Sequence, residues 1–429
     1  MPKTGTDDDN LLLIQSPHQV DDINSAFYSR FPYPWRPQAF DFVADPDLHV
    51  RLLNQNLGDW NLETIPQNPR IWVAGCGTNQ AIYTALRFPR GEIVGSDLSP
   101  KSLELCSQTA NELKLTNLRL AQESINDVAY SDYFDYAICT GVIHHNAEPQ
   151  TALRKLARAI KPSGVIELMV YNRFHRVEAA AFQKAVRLLC VPNGGVPKSD
   201  EELQLARQII AAFPVKNHLY DLLQRLRRRP EAAIADVLIQ PVECSYTVES
   251  LAELAAECGL EMLSPCLNEW DRANASYRWH VEFGDPDLQG MYDALADVPR
   301  WQFTNLMLQE RSPMLWFYFR RTDSGCARRS QRDINAGFLN TVFERVNTER
   351  GCYLLQAGGF YSRSDKTVPF PTTVPREEAA SVYQALDGKT PMKDILAALH
   401  LPLDFGSTVG YRSHLATSAF PFMTAVRHQ

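Results

Sequence analysis

The stretch Ile71-Trp72-Val73-Ala74-Gly75-Cys76-Gly77-Thr78 constrains this chain more than any other. An apolar run ends in two glycines that flank a single residue. Ala81, Ile82, Ala85, Leu86 and Phe88 then recur on one helical face, which Pro89 and Gly91 close. A second apolar run, residues 93–96, ends in Asp97, twenty residues after Gly77. Strand, glycine turn, helix, strand and acid is the order of a nucleotide-binding α/β unit. The glycines let backbone approach a ligand, and the carboxylate can accept hydrogen bonds from two ribose hydroxyls.

The rhythm continues. Ser99-Pro100 starts a helix with a capping hydroxyl and a proline in the first helical position. Leu103, Cys106, Ala110 and Leu113 follow at helical spacing. Residues 118–121 predict a third strand ending at Gln122-Glu123-Ser124, and residues 134–140 a fourth ending at Gly141-Val142-Ile143-His144-His145. Leu153, Leu156, Ala157 and Ile160 mark another helix; Lys161-Pro162-Ser163-Gly164 turns into a fifth strand, residues 165–171. Strands alternating with helices predict an α/β fold, a doubly wound sheet covered on both faces.

Residues 173–239 break the pattern and predict a helical insertion, with a capping box at Ser199 and Glu202. Residues 247–258 predict a helix stopped by Gly259, and residues 314–320 a late strand. The composition changes near residues 322–332, where we expect a domain boundary: a core domain at 46–325 and a small C-terminal α+β accessory domain at 326–429. Residues 1–45 form an arm rich in proline and aromatics. It is either a lid that offers Tyr28, Tyr33 and Trp35 to a substrate or a segment stapled to the core by its rings. The run Arg225, Arg227, Arg228, Arg229 reads as a solvated helix face.

A chain of 429 residues has room for such a division. Its net charge of −7 argues against a nucleic-acid partner, because phosphate neutralisation needs a basic face. The nine cysteines stand singly with no Cys-x-x-Cys, which suits reduced thiols and gives no metal site. The acidic start carries only a four-residue apolar run, 11–14, so neither a signal peptide nor a membrane span is expected, and the expected compartment is the cytoplasm.

Ala74-Gly75-Cys76-Gly77-Thr78, Asp97, Phe134-Asp135, Val142-Ile143-His144-His145 with Glu148-Pro149, and Lys161-Pro162-Ser163-Gly164 together resemble the class I S-adenosylmethionine-dependent methyltransferases. The arm with Phe31-Pro32-Tyr33-Pro34-Trp35 and residues 236–259 resemble parts of one bacterial subgroup of that family. The resemblance implies a Rossmann-like seven-stranded sheet and S-adenosylmethionine as cofactor. Gly75, Cys76, Gly77, Asp97, Leu98, Glu123, Ser124 and Thr140 would hold it. His145, His144 and Tyr171 are the candidate catalytic groups, since a histidine titrates near neutrality and can take a proton from an acceptor. Tyr28, Tyr33, Trp35 and Arg173 are candidates for touching the acceptor. One departure is Asn79, where the family often has a third glycine.

The implied reaction moves a methyl group to an oxygen or nitrogen of a small molecule or a protein side chain. A phycobiliprotein asparagine amide is one alternative. A binding or scaffolding module on the same fold is another, supported by a C-terminal stretch, residues 382–390, that resembles winged-helix peptide-binding domains.

Overall fold

A computed structural model describes residues 16–191, 197–273, 278–375 and 377–426. The first fifteen residues of the expected arm, including the apolar run 11–14, lie outside them.

The strands are β1 (Ala39–Val43), β2 (Arg70–Ala74), β3 (Glu92–Asp97), β4 (Leu118–Gln122), β5 (Phe134–Thr140), β6 (Ile160–Val170), β7 (Leu260–Pro265), β8 (Leu315–Arg321), β9 (Phe343–Arg345), β10 (Thr348–Leu355), β11 (Tyr361–Arg363), β12 (Val368–Phe370) and β13 (Met423–Ala425). Seven of them form one sheet in the order β4-β3-β2-β5-β6-β8-β7. All are parallel except β8, which runs against both β6 and β7. The order reverses beside β2, and a ligand crevice belongs there, beyond the carboxyl ends of the strands.

Alternation along each strand feeds two cores. Trp72, Phe134, Leu168, Phe317 and Phe319 face one way; Ile71, Val73, Tyr136, Val165 and Tyr318 face the other. Both faces are covered, which is why β2 and β5 read as nearly continuous apolar runs.

The helices begin with α1 (Pro17–Arg30), α2 (Leu48–Asn56), α3 (Gln80–Arg87), α4 (Pro100–Glu112) and α5 (Pro149–Ala159). Ser99 caps α4 as its sequence predicts, its hydroxyl accepting from the Ser102 amide at 3.1 Å. The insertion is α6 (Arg173–Cys190), α7 (Ser199–Ala212), α8 (His218–Leu226) and α9 (Glu231–Leu238). These four pack around a core of their own, and Phe27 and Phe31 of the arm are buried in it. The four arginines at 225 and 227–229 are exposed.

The capping box expected at Ser199 does not form. Lys198 stands at the cap, no side chain closes it, and Glu202 turns inward to Arg187 at 3.0 Å. Both side chains are buried, and burial pushes the Glu202 carboxyl up to about 7 despite the arginine. Arg187→Met is expected to lower the unfolding free energy by about 3 kcal/mol. That is the low end for a broken buried pair, because Glu202 can take up a proton. Urea unfolding measures it.

After α10 (Val248–Glu257), capped by Thr247 and ended by Gly259 at φ +73°, the chain forms β7, returns through residues 278–311 and completes the sheet with β8. Beyond residue 326, helices at Gln331–Asn340, Glu377–Ala385, Met392–Ala398 and Phe405–Leu415 surround a separate core that includes Phe338, Phe343, Val382 and Leu415. This region is tied to the arm: β1 pairs antiparallel with β10, Ala39 opposite Leu354. Among the described residues no helix is long and apolar enough to cross a membrane.

Candidate functional site

The glycine turn leaves β2 in left-handed backbone, Gly75 at φ +67° and Gly77 at φ +53°. Side chains are excluded there. A Cβ on Gly75 would lie 2.2 Å from Val142 Cγ2, and one on Gly77 would lie 2.6 Å from the Tyr33 carbonyl oxygen. Asp97, at the end of β3, accepts the Gly77 amide on one oxygen and the Ser99 amide on the other, both at 2.8 Å. Burial raises its pKa, and the two amides offset part of that rise. Each oxygen keeps a free lone pair, enough for two vicinal hydroxyls.

The arm lies directly on this turn. The Thr78 amide donates to Tyr33 O at 3.2 Å, the Thr78 hydroxyl donates to Pro34 O, and the Asn79 amide donates to Trp35 O at 3.0 Å. Asn79 therefore anchors the arm, a task no glycine could perform. Ser25 reaches Leu98 O at 3.0 Å from α1.

Below the arm is a cavity of about 1640 Å³. Gly75, Cys76, Gly77, Asp97, Leu98, Glu123 and Thr140 line it, as do Tyr28, Tyr33, Trp35, His145 and Tyr171. Adjacent strands supply alternate residues as a floor: Tyr136, Ile138 and Thr140 from β5; Glu167, Met169 and Tyr171 along and just beyond β6; Met314, Trp316 and Tyr318 just before and along β8. Glu123 accepts the Tyr130 hydroxyl at 2.7 Å on one oxygen, and Thr140 exchanges hydrogen bonds with the Gln80 amide.

Three of the expected site residues are placed elsewhere. Ser124 is not among the lining residues; its hydroxyl donates to buried Asp21 at 2.6 Å and holds α1 down. Arg173 opens α6, and its backbone, bonded to Tyr246 O at 2.8 Å, fixes that helix start. His144 is fully buried behind Tyr171. Its Nδ1 accepts the Tyr171 amide at 3.2 Å, and its ring stacks on the Tyr171 ring with centroids 3.7 Å apart. Burial, His145 and Arg176 hold its pKa far below the usual range.

His145 does face the cavity. Its Nδ1 lies 2.7 Å from Val242 O, so the neutral ring carries its proton there and leaves Nε2 as the basic atom. Burial lowers its pKa to about 4. It stays neutral at physiological pH and is a weak base.

Sequence reasoning missed an acid of this cavity. Asp236, from α9, lines the cavity and accepts the Tyr28 hydroxyl at 3.2 Å. Burial raises its pKa to about 6, against the opposing pull of Arg176. Arg176 itself is committed to Glu243, with Nε at 2.6 Å, and its guanidinium covers the Tyr171 ring at 4.4 Å. Tyr28 and Asp236 are 208 residues apart and carry no local motif; only the subgroup resemblance of residues 236–259 touched this region.

Residues 73–225 match the family model of a methyltransferase domain. A protein of Synechococcus sp. with no assigned activity is 28% identical over 303 residues, 67% of this chain and 68% of its own. The ubiquinone biosynthesis O-methyltransferase of Neisseria meningitidis is 23% identical over 184 residues, 41% of this chain and 74% of its own. Among solved structures, PKMT2 from Rickettsia typhi in complex with AdoHcy has the same fold, with a TM-score of 0.56 at 15% identity, over 88% of this chain and 76% of that one. With its seven-stranded sheet, its glycine turn and the matching family model, this chain carries a class I S-adenosylmethionine-dependent methyltransferase domain.

Proposed function

We propose that this protein transfers a methyl group from S-adenosylmethionine to an oxygen or nitrogen carried by a small molecule or a protein side chain. The observation that carries this reading is Asp97, held by two backbone amides at 2.8 Å above a turn where no Cβ fits. That is a cradle for a ribose and for the chain attached to it. The cofactor supplies an electrophilic methyl on a sulfonium.

The chain's residues do the rest. Gly75 and Gly77 admit the cofactor to the backbone, Asp97 takes the ribose hydroxyls, and the second oxygen of Glu123 is free for the adenine amine. Pinned to Thr78 and Asn79, the arm excludes water from one side. The cavity exceeds the ~300–1,000 Å³ usual for one small ligand, which leaves room for an acceptor beside the cofactor. Alignment of the two near contact distance supplies most of the rate. Asp236 takes the proton lost by the acceptor, with Tyr28 holding its carboxylate, and His145 Nε2 is the nearby neutral acceptor.

Calorimetric titration with S-adenosylhomocysteine tests this. Wild type is expected to bind at micromolar concentration. Asp97→Ala is expected to bind about 100-fold more weakly, since two charge-assisted hydrogen bonds are lost. Folded wild type that binds neither S-adenosylmethionine nor S-adenosylhomocysteine would overturn the reading and leave the scaffolding module. A labelled-methyl search in cell extract then identifies the acceptor.

A further inference from the structure

A second, smaller cleft of about 60 Å³ lies where the helix Phe405–Leu415 meets residues 278–301 and the start of the helix Gln331–Asn340. Its polar lining has donors in excess of acceptors. Arg412 has no carboxylate within 4 Å among the described residues; its guanidinium donates to Gln331 Oε1. Glu282, the acid on the wall of the cleft, is exposed and paired with Arg278 at 2.9 Å, and Asp297, outside the wall, is spent. Asp297 accepts from Arg300 at 2.7 Å, from Arg328 at 2.8 Å and from the Gln331 backbone amide at 3.1 Å. Two guanidinium groups and a backbone amide thus occupy this carboxylate, and Arg412 stands beyond contact with it.

Two neutral donors beside Arg412 are also unmatched. Gln331 is 4% exposed, and its Nε2 has no acceptor. The His280 side chain is 6% exposed; its Nε2 lies 3.5 Å from the Gln289 amide nitrogen and 4.0 Å from the Asp293 carboxylate, and Nδ1 has no partner; in the tautomer in which Nε2 accepts from Gln289, Nδ1 carries the proton. A buried donor without an acceptor is costly, and a buried guanidinium without an anion is more so. Burial lowers the Arg412 pKa to about 10. Arg300 is satisfied apart from the cleft: its other nitrogen donates to Leu295 O at 2.8 Å and its face covers Phe405. At ~10–15 Å³ per water the cleft has room for about four waters, the bulk of a tetrahedral oxyanion.

We infer that this cleft binds a phosphate-sized oxyanion on Arg412, with Gln331 Nε2 and His280 Nδ1 completing its coordination. The planar fork of a guanidinium matches two oxygens of such an anion. Arg412 and Gln331 belong to the C-terminal region and His280 to the methyltransferase region, so the anion joins the two. It does so away from the cofactor cradle, whose cavity walls include none of these three side chains.

The test uses the full chain in a zwitterionic buffer with ionic strength fixed by chloride. Calorimetry with inorganic phosphate is expected to show one site of millimolar or better affinity. The unfolding temperature is expected to rise with phosphate more than with chloride, because a ligand bound only to the folded state stabilises it by mass action. Sulfate should compete. Arg412→Met is expected to weaken phosphate binding at least ~10-fold, the loss of a charge-assisted pair, and to bind S-adenosylhomocysteine as wild type does. Gln331→Leu, which removes no charge, should weaken it by a smaller factor and stands in if Arg412→Met does not fold. Wild type that responds to phosphate no more than to chloride overturns the inference. So does phosphate binding that neither substitution changes.

Discussion

Asp236→Asn is expected to slow methyl transfer by about 10²–10³-fold while making the protein more stable. The rate falls because an amide cannot accept the proton that the acceptor releases. Stability rises because the folded protein holds Asp236 at a pKa of about 6, above the usual 3.8. The ionised carboxylate is therefore penalised in the fold at neutral pH. A raised folded pKa contributes stability below about pH 4 that is lost as pH rises through about 6. Asparagine has no such loss. At ~1.4 kcal/mol per pKa unit, and with allowance for access to the cavity, the gain is about 1–3 kcal/mol at pH 7. It retains an oxygen for the Tyr28 hydroxyl. Wild-type kcat/KM should fall below about pH 6 as Asp236 protonates, and the variant should lack that limb. A variant with wild-type turnover would remove Asp236 from the chemistry; one that lost both turnover and stability would make it a structural residue.

Gly77→Ala is expected to weaken S-adenosylhomocysteine binding by at least ~10-fold. Alanine at φ +53° pays a left-handed penalty of about 1–2 kcal/mol, and its methyl lies 2.6 Å from the Tyr33 carbonyl oxygen. Something must move. If the turn moves, the Gly77 amide leaves Asp97; if the arm moves, the Thr78 amide loses Tyr33 O. Either route opens the cradle. Faster proteolysis between residues 31 and 38 would report the second, and unchanged cleavage with weaker binding the first. Wild-type affinity in this variant would mean that the turn does not approach the ligand.

The central sheet was legible because its signals are local. The β2 run, the glycine turn, Ser99-Pro100 and the apolar repeats of α3 and α4 each specify backbone within a few residues of themselves. Asp97 was legible for the same reason: it ends the strand that follows the turn. What escaped depends on pairs distant in sequence. Glu202 reads as half of a capping box, yet the burial of Arg187 draws it inward. His144 and His145 are adjacent and chemically identical, and only Tyr171 and Val242, from other elements, seal one and turn the other toward the cavity. Asp236 is raised toward neutrality only when the packing of α1 and α6 on α9 buries it, with Arg176 and the Tyr28 hydroxyl holding back part of the rise. Asn79 breaks the glycine pattern because the arm uses its side chain.

The pairing of β1 with β10 has a consequence for biosynthesis. Its register sets Ala39 against Leu354 and Val43 against Arg350, so β1 must wait for a strand translated some three hundred residues later. At ~5–20 residues per second that interval is tens of seconds on the ribosome. During it the nascent methyltransferase sheet can assemble while β1 exposes an unpaired edge, a hazard for association with other chains. Residues 33–35, which cover the glycine turn, lie just before β1 and lack that anchor until β10 emerges. Competence for the methyl donor is thus coupled to late synthesis. A ribosome stalled before residue 348 is expected to display a protease-sensitive arm and a weakly closed cofactor cradle.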